Sequence, residues 1–231
     1  KKLFFENYEH NKTLKHIAIK SIFSKKEWDN LPHHIKKLYY GSLSSLYKIT
    51  DWSWLPIIGF IHDMGKIMMH PSFGNLPQWA VVGDTFPLGE KLDSNYPFFN
   101  KGYHLNNFSL TQSNYYEKNC GFNGVHFSWG HDEYMANFLE RNRILIPQEA
   151  IYLIRYHSFY SWHSPKNSII GYQYLANDFD WKMLPLLKLF QKADLYSKDE
   201  TDSEIDKLLI QIKKKYFPLL KEYFHNEYLS W

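Results

Sequence analysis

The sequence predicts a mainly α fold with a few short strands and long ordered loops. Apolar residues recur at three- to four-residue spacing in several stretches, and Asp, Asn, Pro and Gly punctuate their ends in helix-capping positions. The 231 residues are 44% hydrophobic and 22% charged, ordinary globular usage that argues against disorder or fibrous structure. A chain of this length is expected to form one domain with a sizeable core.

The elements follow in order. Asp29 or Asn30 is expected to cap a helix that has Pro32 in its first turn and runs to about Tyr47. Trp54 to about Met64 is strongly apolar and reads as a buried helix, with Gly65 suited to its end. Pro and Gly break residues 71–89, where Trp79 to Asp84 reads as a short strand or turn. Leu92 to Val125, rich in Asn, Tyr, Phe and Gly, reads as a long ordered loop, either functional or a structural insertion. Four helices are expected after it. Ser128–Arg141 presents Trp129, Tyr134 and Phe138, and Pro147–Tyr160 presents Ile151, Ile154 and Ser158. Trp181–Tyr196 carries Leu184 and Leu187, and Glu204–Leu220 carries Ile205, Leu208 and Ile212; Pro185 and Pro218 fall inside these last two.

Composition narrows the function classes. The 27 basic and 24 acidic residues are interspersed, so no stripe for nucleic acid is visible. No apolar run reaches the roughly 18 residues of a membrane span. Lys1 to Phe5 show no signal-type apolar segment, and the one cysteine, Cys120, fits a reducing compartment. A cytoplasmic monomer acting on a small molecule is expected. The 12 histidines, about twice ordinary usage, raise the question of a metal.

His62-Asp63 places an imidazole and a carboxylate side by side in apolar surroundings, where an ionised Asp is rarely buried unless paired or bound to metal. Alone, the dipeptide is equally a hydrogen-bonded core pair. His131-Asp132 repeats it in another helix, His157 lies in a third, and Asp194 falls on the buried side of a fourth. Of the adjacent His33 and His34, a helical wheel centred on Ile35 puts His33 among lysines and His34 at the edge of the apolar face, so His34 is preferred. The candidate ligands are therefore His34, His62, Asp63, His131, His157 and Asp194. Four imidazoles and two carboxylates suit two metals sharing one carboxylate, and nitrogen/oxygen donors without thiolate suit iron, manganese or zinc. His70, His163 and Asp132 are set aside, although Asp132 has a choice between bonding a ligand imidazole and facing solvent.

His62-Asp63-Met64-Gly65-Lys66 resembles the signature of HD-domain metalloproteins. Pro77 to Pro87 (PQWAVVGDTFP), Ser128 to Met135 (SWGHDEYM), Arg155 to His163 (RYHSFYSWH), Asp194 to Lys198 (DLYSK) and the terminal Leu229-Ser230-Trp231 resemble the myo-inositol oxygenase family in particular. The resemblance spans Trp54 to Trp231, roughly three quarters of the chain. It implies a single HD-type helical domain over residues 1–231, holding a mixed-valent Fe(II)/Fe(III) pair. It implies that one iron takes His34, His62, Asp63 and Asp194, and the other His131 and His157, with Asp63 bridging. The implied reaction cleaves myo-inositol with O2 to D-glucuronate. Lys66 is implied as a catalytic charged donor, and Asp84, Thr85, His157, Ser158 and Lys198 as substrate-binding residues. Glu27 and Asp29 are the acidic residues available for a substrate contact that the family makes upstream. Two other functions share these residues: an HD phosphohydrolase acting on a nucleotide or other phosphoester, and a binding module that has lost a metal.

Overall fold

Among the described residues the first α-helix is capped at Ser24. Its hydroxyl accepts from the Glu27 N–H at 3.2 Å, and the Glu27 carboxylate accepts from the Ser24 N–H at 2.7 Å. This reciprocal Ser-x-x-Glu cap starts α1 (Lys25–Asn30), a helix not among those expected. The computed structural model describes residues 17–47, 51–90, 115–164, 170–195, 202–225 and 228–231. The helix expected from Pro32 to Tyr47 is two short ones, α2 (His33–Leu38) and α3 (Leu43–Leu46). They part at Gly41, whose φ of +109° lies in the region that favours glycine.

Next comes α4 (Trp54–Ile61), followed by a 3₁₀ segment over Met64–Met69. A helical turn, α5 (Gln78–Val81), stands where a strand or turn was expected. Then follow α6 (His131–Arg141), α7 (Gln148–Tyr156), α8 (Tyr160–His163), α9 (Asp178–Leu195) and α10 (Asp202–Tyr223). Most of the expected long loop, residues 91–114, lies outside the described residues. In place of the expected strands, the described residues contain only two isolated bridges, Ala18 with Ser42 and Pro87 with Phe127. The fold is mainly α, and no helix among the described residues is long and apolar enough to cross a membrane.

The helices α6 and α7 pack together, with the 3₁₀ segment against α6, α4 and α9 against α7, and α10 against α4. Aromatic residues fill the centre. Phe122, Tyr156, Phe159 and Trp162 are fully buried, and Phe122 meets Trp162 edge-on at 5.0 Å between ring centroids.

The proline inside α9 explains how the N-terminal segment is held. Pro185 has no N–H, so the Trp181 carbonyl lacks its helical partner four residues on. The Tyr39 hydroxyl donates to that carbonyl, and the Tyr47 hydroxyl donates to the next one, Lys182, at 2.6 Å. Replacing Tyr39 by Phe leaves a buried carbonyl unpaired and is expected to cost about 1–2 kcal/mol. Pro185→Ala restores the missing donor, so the same replacement should cost less in that background. Urea unfolding of the four proteins measures this, and equal costs in both backgrounds would reject the pairing.

Asp180, 2% exposed, accepts from the Phe122 N–H at 3.0 Å and the Asn177 N–H at 2.9 Å. Burial pushes its carboxyl up to about 6, and the two N–H groups offset only part of that. The proton is thus bound more tightly in the folded chain than in the unfolded one. This group's stabilisation is fully present below its unfolded value near 3.8 and is lost as pH rises through about 6. Asn at this position keeps an acceptor without a charge. From about pH 5 to about pH 8, Asp180→Asn should gain about 1 kcal/mol on the parent, read as the difference in unfolding free energy.

Candidate metal centre

Helices that end in the interior leave carbonyl groups without partners. Three imidazoles take up such carbonyls here. His62, at the C-cap of α4, lies with Nδ1 2.9 Å from the Gly59 carbonyl oxygen. His157, at the C-cap of α7, lies with Nδ1 2.6 Å from that of Ile154. His131 opens α6, and its Nδ1 lies 2.9 Å from the carbonyl of Val81, the last residue of α5. A carbonyl oxygen only accepts, so each Nδ1 carries the proton and each neutral ring presents a bare Nε2 lone pair.

Those lone pairs converge. The Nε2 atoms of His131 and His157 lie 3.1 Å apart, with no proton available to join them while both rings are neutral. Asp63 divides its carboxylate between two groups. Its Oδ2 lies 3.6 Å from His62 Nε2, which is also 3.1 Å from Asp194 Oδ1. Its Oδ1 lies 3.4 Å from His131 Nε2 and 3.8 Å from His157 Nε2. Donor atoms of His62, Asp63 and His157 all fall within 4.8 Å of one another. Electron pairs facing each other this closely in a buried site are repulsive unless positive charge lies among them. The donor set therefore fits a metal cation at Asp63, with donor atoms of His62 and His157 on either side of it and Asp194 and His131 next to them.

Both carboxylates are held in their ionised form. Burial pushes the Asp63 carboxyl up, but the nearby His131 and His157 rings, the Lys66 ammonium and His62 outweigh it and hold the group far below the usual carboxylate range. Lys66 Nζ lies 2.7 Å from Asp63 Oδ1. Asp194 is likewise lowered: burial raises it, and the His62 contact overrides burial.

Gly65 makes the convergence possible. A Cβ built there would lie 1.9 Å from the His131 carbonyl oxygen, a backbone atom that cannot step aside cheaply. The 3₁₀ segment and α6 thus approach closely enough to bring Asp63 to His131.

Five of the six expected ligands are together: His62, Asp63, His131, His157 and Asp194. His34 is not among them. It is exposed on α2, and neither an ion pair nor a hydrogen bond joins it to the cluster. The wheel that favoured it ran one helix through Gly41. The real α2 is six residues long and buries Ile35, which leaves both histidines beside it exposed.

The expected substrate residues divide as well. Ser158 is buried beside His157, and its carbonyl accepts from the Thr85 N–H at 3.0 Å. The Thr85 hydroxyl donates to Asp132, so its proton is committed within the protein. Asp132 is buried, and its other oxygen accepts from the Glu133 N–H at 2.9 Å. Asp84 is half-buried next to Thr85. Glu27 is committed to its cap and to Lys188 Nζ at 2.5 Å, and Asp29 is exposed. Lys198 lies outside the described residues. His70 accepts from the Ser72 N–H at 3.2 Å, apart from the cluster. Two residues set aside on sequence grounds lie next to the cluster: Asp132 bonds Thr85, and His163 Nε2 lies 2.8 Å from the His157 carbonyl oxygen. The signal for both was adjacency to the His131 and His157 strings.

A family model described as "Myo-inositol oxygenase" matches residues 10–231. The chain is 41% identical over 195 residues to "Inositol oxygenase" of Dictyostelium discoideum, covering 82% of this chain and 63% of that protein. It is 38% identical over 187 residues to "Inositol oxygenase" of Homo sapiens, covering 78% of this chain and 61% of that protein. With "Inositol oxygenase 1" of Arabidopsis thaliana it shares 38% over 185 residues, covering 78% and 57%. The chain thus spans less than two thirds of the length of these relatives.

Gly65→Ala is expected to lower stability by roughly 3 kcal/mol and to deplete bound metal, because the two backbones must separate. Urea unfolding and elemental metal content measure both. A variant with the parent's stability and metal content would reject the close-approach argument.

Proposed function

The chain belongs to the myo-inositol oxygenase family, and from that premise we propose that it cleaves the ring of myo-inositol with O2, giving D-glucuronate and water. The centre is a pair of irons in the mixed-valent Fe(II)/Fe(III) state, within one HD-type domain. The observation that carries the reading is the divided carboxylate of Asp63, one oxygen toward His62 and the other toward His131 and His157. His62, Asp63 and Asp194 would hold one iron; Asp63, His131 and His157 would hold the other. Bound there, the irons supply Lewis acidity toward a diol and the redox equivalents for O2 chemistry.

The protein's own groups position the substrate. Lys66, 35% exposed, carries a charged donor at the rim of the cluster. Its ammonium keeps a proton at Nζ for a substrate oxygen that gains negative charge. Asp84 and Ser158 offer an acceptor and a hydroxyl to ring hydroxyl groups, and Lys198 adds a second cation in this reading. A polyol is discriminated by such fixed partners, because a ligand lacking a hydroxyl leaves them unpaired. Thr85 serves differently from the sequence expectation: its hydroxyl and N–H hold the segment that carries Asp84.

The phosphohydrolase alternative would draw on the same cationic side chains, Lys66 and Lys198, but not on Arg155, which is bonded to Glu133 at 3.0 Å and to Glu140 at 2.8 Å.

The test is anaerobic purification, iron loading and an O2-dependent assay for glucuronate from myo-inositol, with phosphate release from nucleotides run alongside. Product from a protein holding two irons per chain is expected, and phosphate release without glucuronate would reject the reading. Lys66→Met should retain iron while kcat falls about 100-fold or more. Asp63→Ala should retain at most one iron per chain.

A further inference from the structure

His163 is fully buried, six residues after His157 on α8, and none of the roles above uses it. Its Nε2 lies 2.8 Å from the main-chain carbonyl oxygen of His157. A carbonyl only accepts, so Nε2 carries the proton and Nδ1 is the acceptor, taking the Ser164 hydroxyl at 3.0 Å. Burial, with the nearby Lys188 ammonium, keeps the ring uncharged, pushed down to about 3.

The acceptor matters more than the donor. The His157 carbonyl lies where α7 has ended, and no backbone N–H among the described residues reaches it. His163 therefore fills the place of a missing helical hydrogen bond at the residue whose side chain turns toward Asp63. The peptide next to it is also held, because the Ser158 carbonyl accepts from the Thr85 N–H. His163 is in turn fixed from two other elements. Lys188 Nζ, on α9, donates to the His163 carbonyl at 2.9 Å and to Glu27 Oε1, on α1, at 2.5 Å. That ion pair is nearly buried, with side-chain exposures of 10% for Lys188 and 14% for Glu27.

We propose that His163 is a positioning residue for the metal centre, its Nε2–H clamping the His157 main chain so that the His157 imidazole points at Asp63. The clamp works together with the Nδ1 contact to Ile154: one fixes the ring about its own axis, the other fixes the backbone from which it hangs. Groups that hold a ligand's orientation in this way typically change metal affinity 10- to 100-fold when removed. The proposal rests on the reading that His157 is a ligand.

Gln and Asn separate the clamp from mere polarity. A Gln amide nitrogen reaches the place of Nε2, whereas an Asn amide reaches only that of Nδ1. Met fills the ring's volume with no donor at all. Metal-free parent, His163→Gln, His163→Asn and His163→Met are titrated with Co(II), following the visible absorption bands, and folding is checked by circular dichroism and thermal midpoint. The parent and the Gln variant should bind Co(II) within about threefold of each other and give the same spectrum. The Asn and Met variants should bind about 10-fold or more weakly, with altered bands, while remaining folded. If Asn does not fold, the contrast between Met and Gln decides. Parent-like affinity and spectrum in folded Asn or Met variants would overturn the proposal, as would a folded Gln variant as weak as the others. A parent that binds no Co(II) would sink the metal reading itself, and the clamp with it.

Discussion

Bare imidazole nitrogens aimed at one another and at a carboxylate cannot stay close without positive charge among them. His131 and His157 bring their Nε2 atoms to 3.1 Å, and Asp63 faces both. The rest of the molecule is arranged to hold this repulsive set in place. Helix ends are the means. The carbonyls of Gly59, Val81 and Ile154 are orphans at the ends of α4, α5 and α7, and each receives a histidine Nδ1–H. One contact thus satisfies a buried backbone group and fixes the tautomer that leaves Nε2 open. The C-terminal ends of α4 and α7 also carry partial negative charge toward the centre, which favours a cation there.

Such a design tolerates little slack between elements, and small residues and irregular turns supply the closeness. The helical run stops at His62, so Asp63 lies past the end of α4 and is free of the 100° offset that a continued helix would impose. Gly65 then lets the chain pass against the His131 backbone. An aromatic nucleus of Phe122, Tyr156, Phe159 and Trp162 packs where α7 ends and α8 begins.

Much of the centre was legible in the sequence, because metal donors are few in kind and each sits in a recognisable local string. His62-Asp63, His131, His157 and Asp194 stood out on that basis, and the helical spacing around them gave the mainly α fold. The helical face that favours His34 assumes a helix continuous through Gly41, and the face of a helix means nothing beyond the residue that ends it. The turn at Gln78–Val81 escaped because four residues are too short for periodicity to tell helix from strand. The partners of Asp132, Thr85 and His163 were not legible for another reason. Residue type tells what a side chain can bond, whereas its partner is set by tertiary approach. The Thr85 hydroxyl, expected to meet substrate, is held by Asp132, which a sequence has no means of pairing across 47 positions.

That pairing has a structural consequence. The segment bearing Asp84 is fastened at Thr85 to two places, the Asp132 carboxylate and the Ser158 carbonyl, and each fastening point adjoins a histidine of the centre. A displacement of α6 or of the 157–158 turn therefore carries the Asp84 segment along with His131 or His157. The wall that would face a polyol and the groups that would hold metal are parts of one hydrogen-bonded unit. Their relative geometry is set by buried contacts, which a side chain on a separate surface loop would lack.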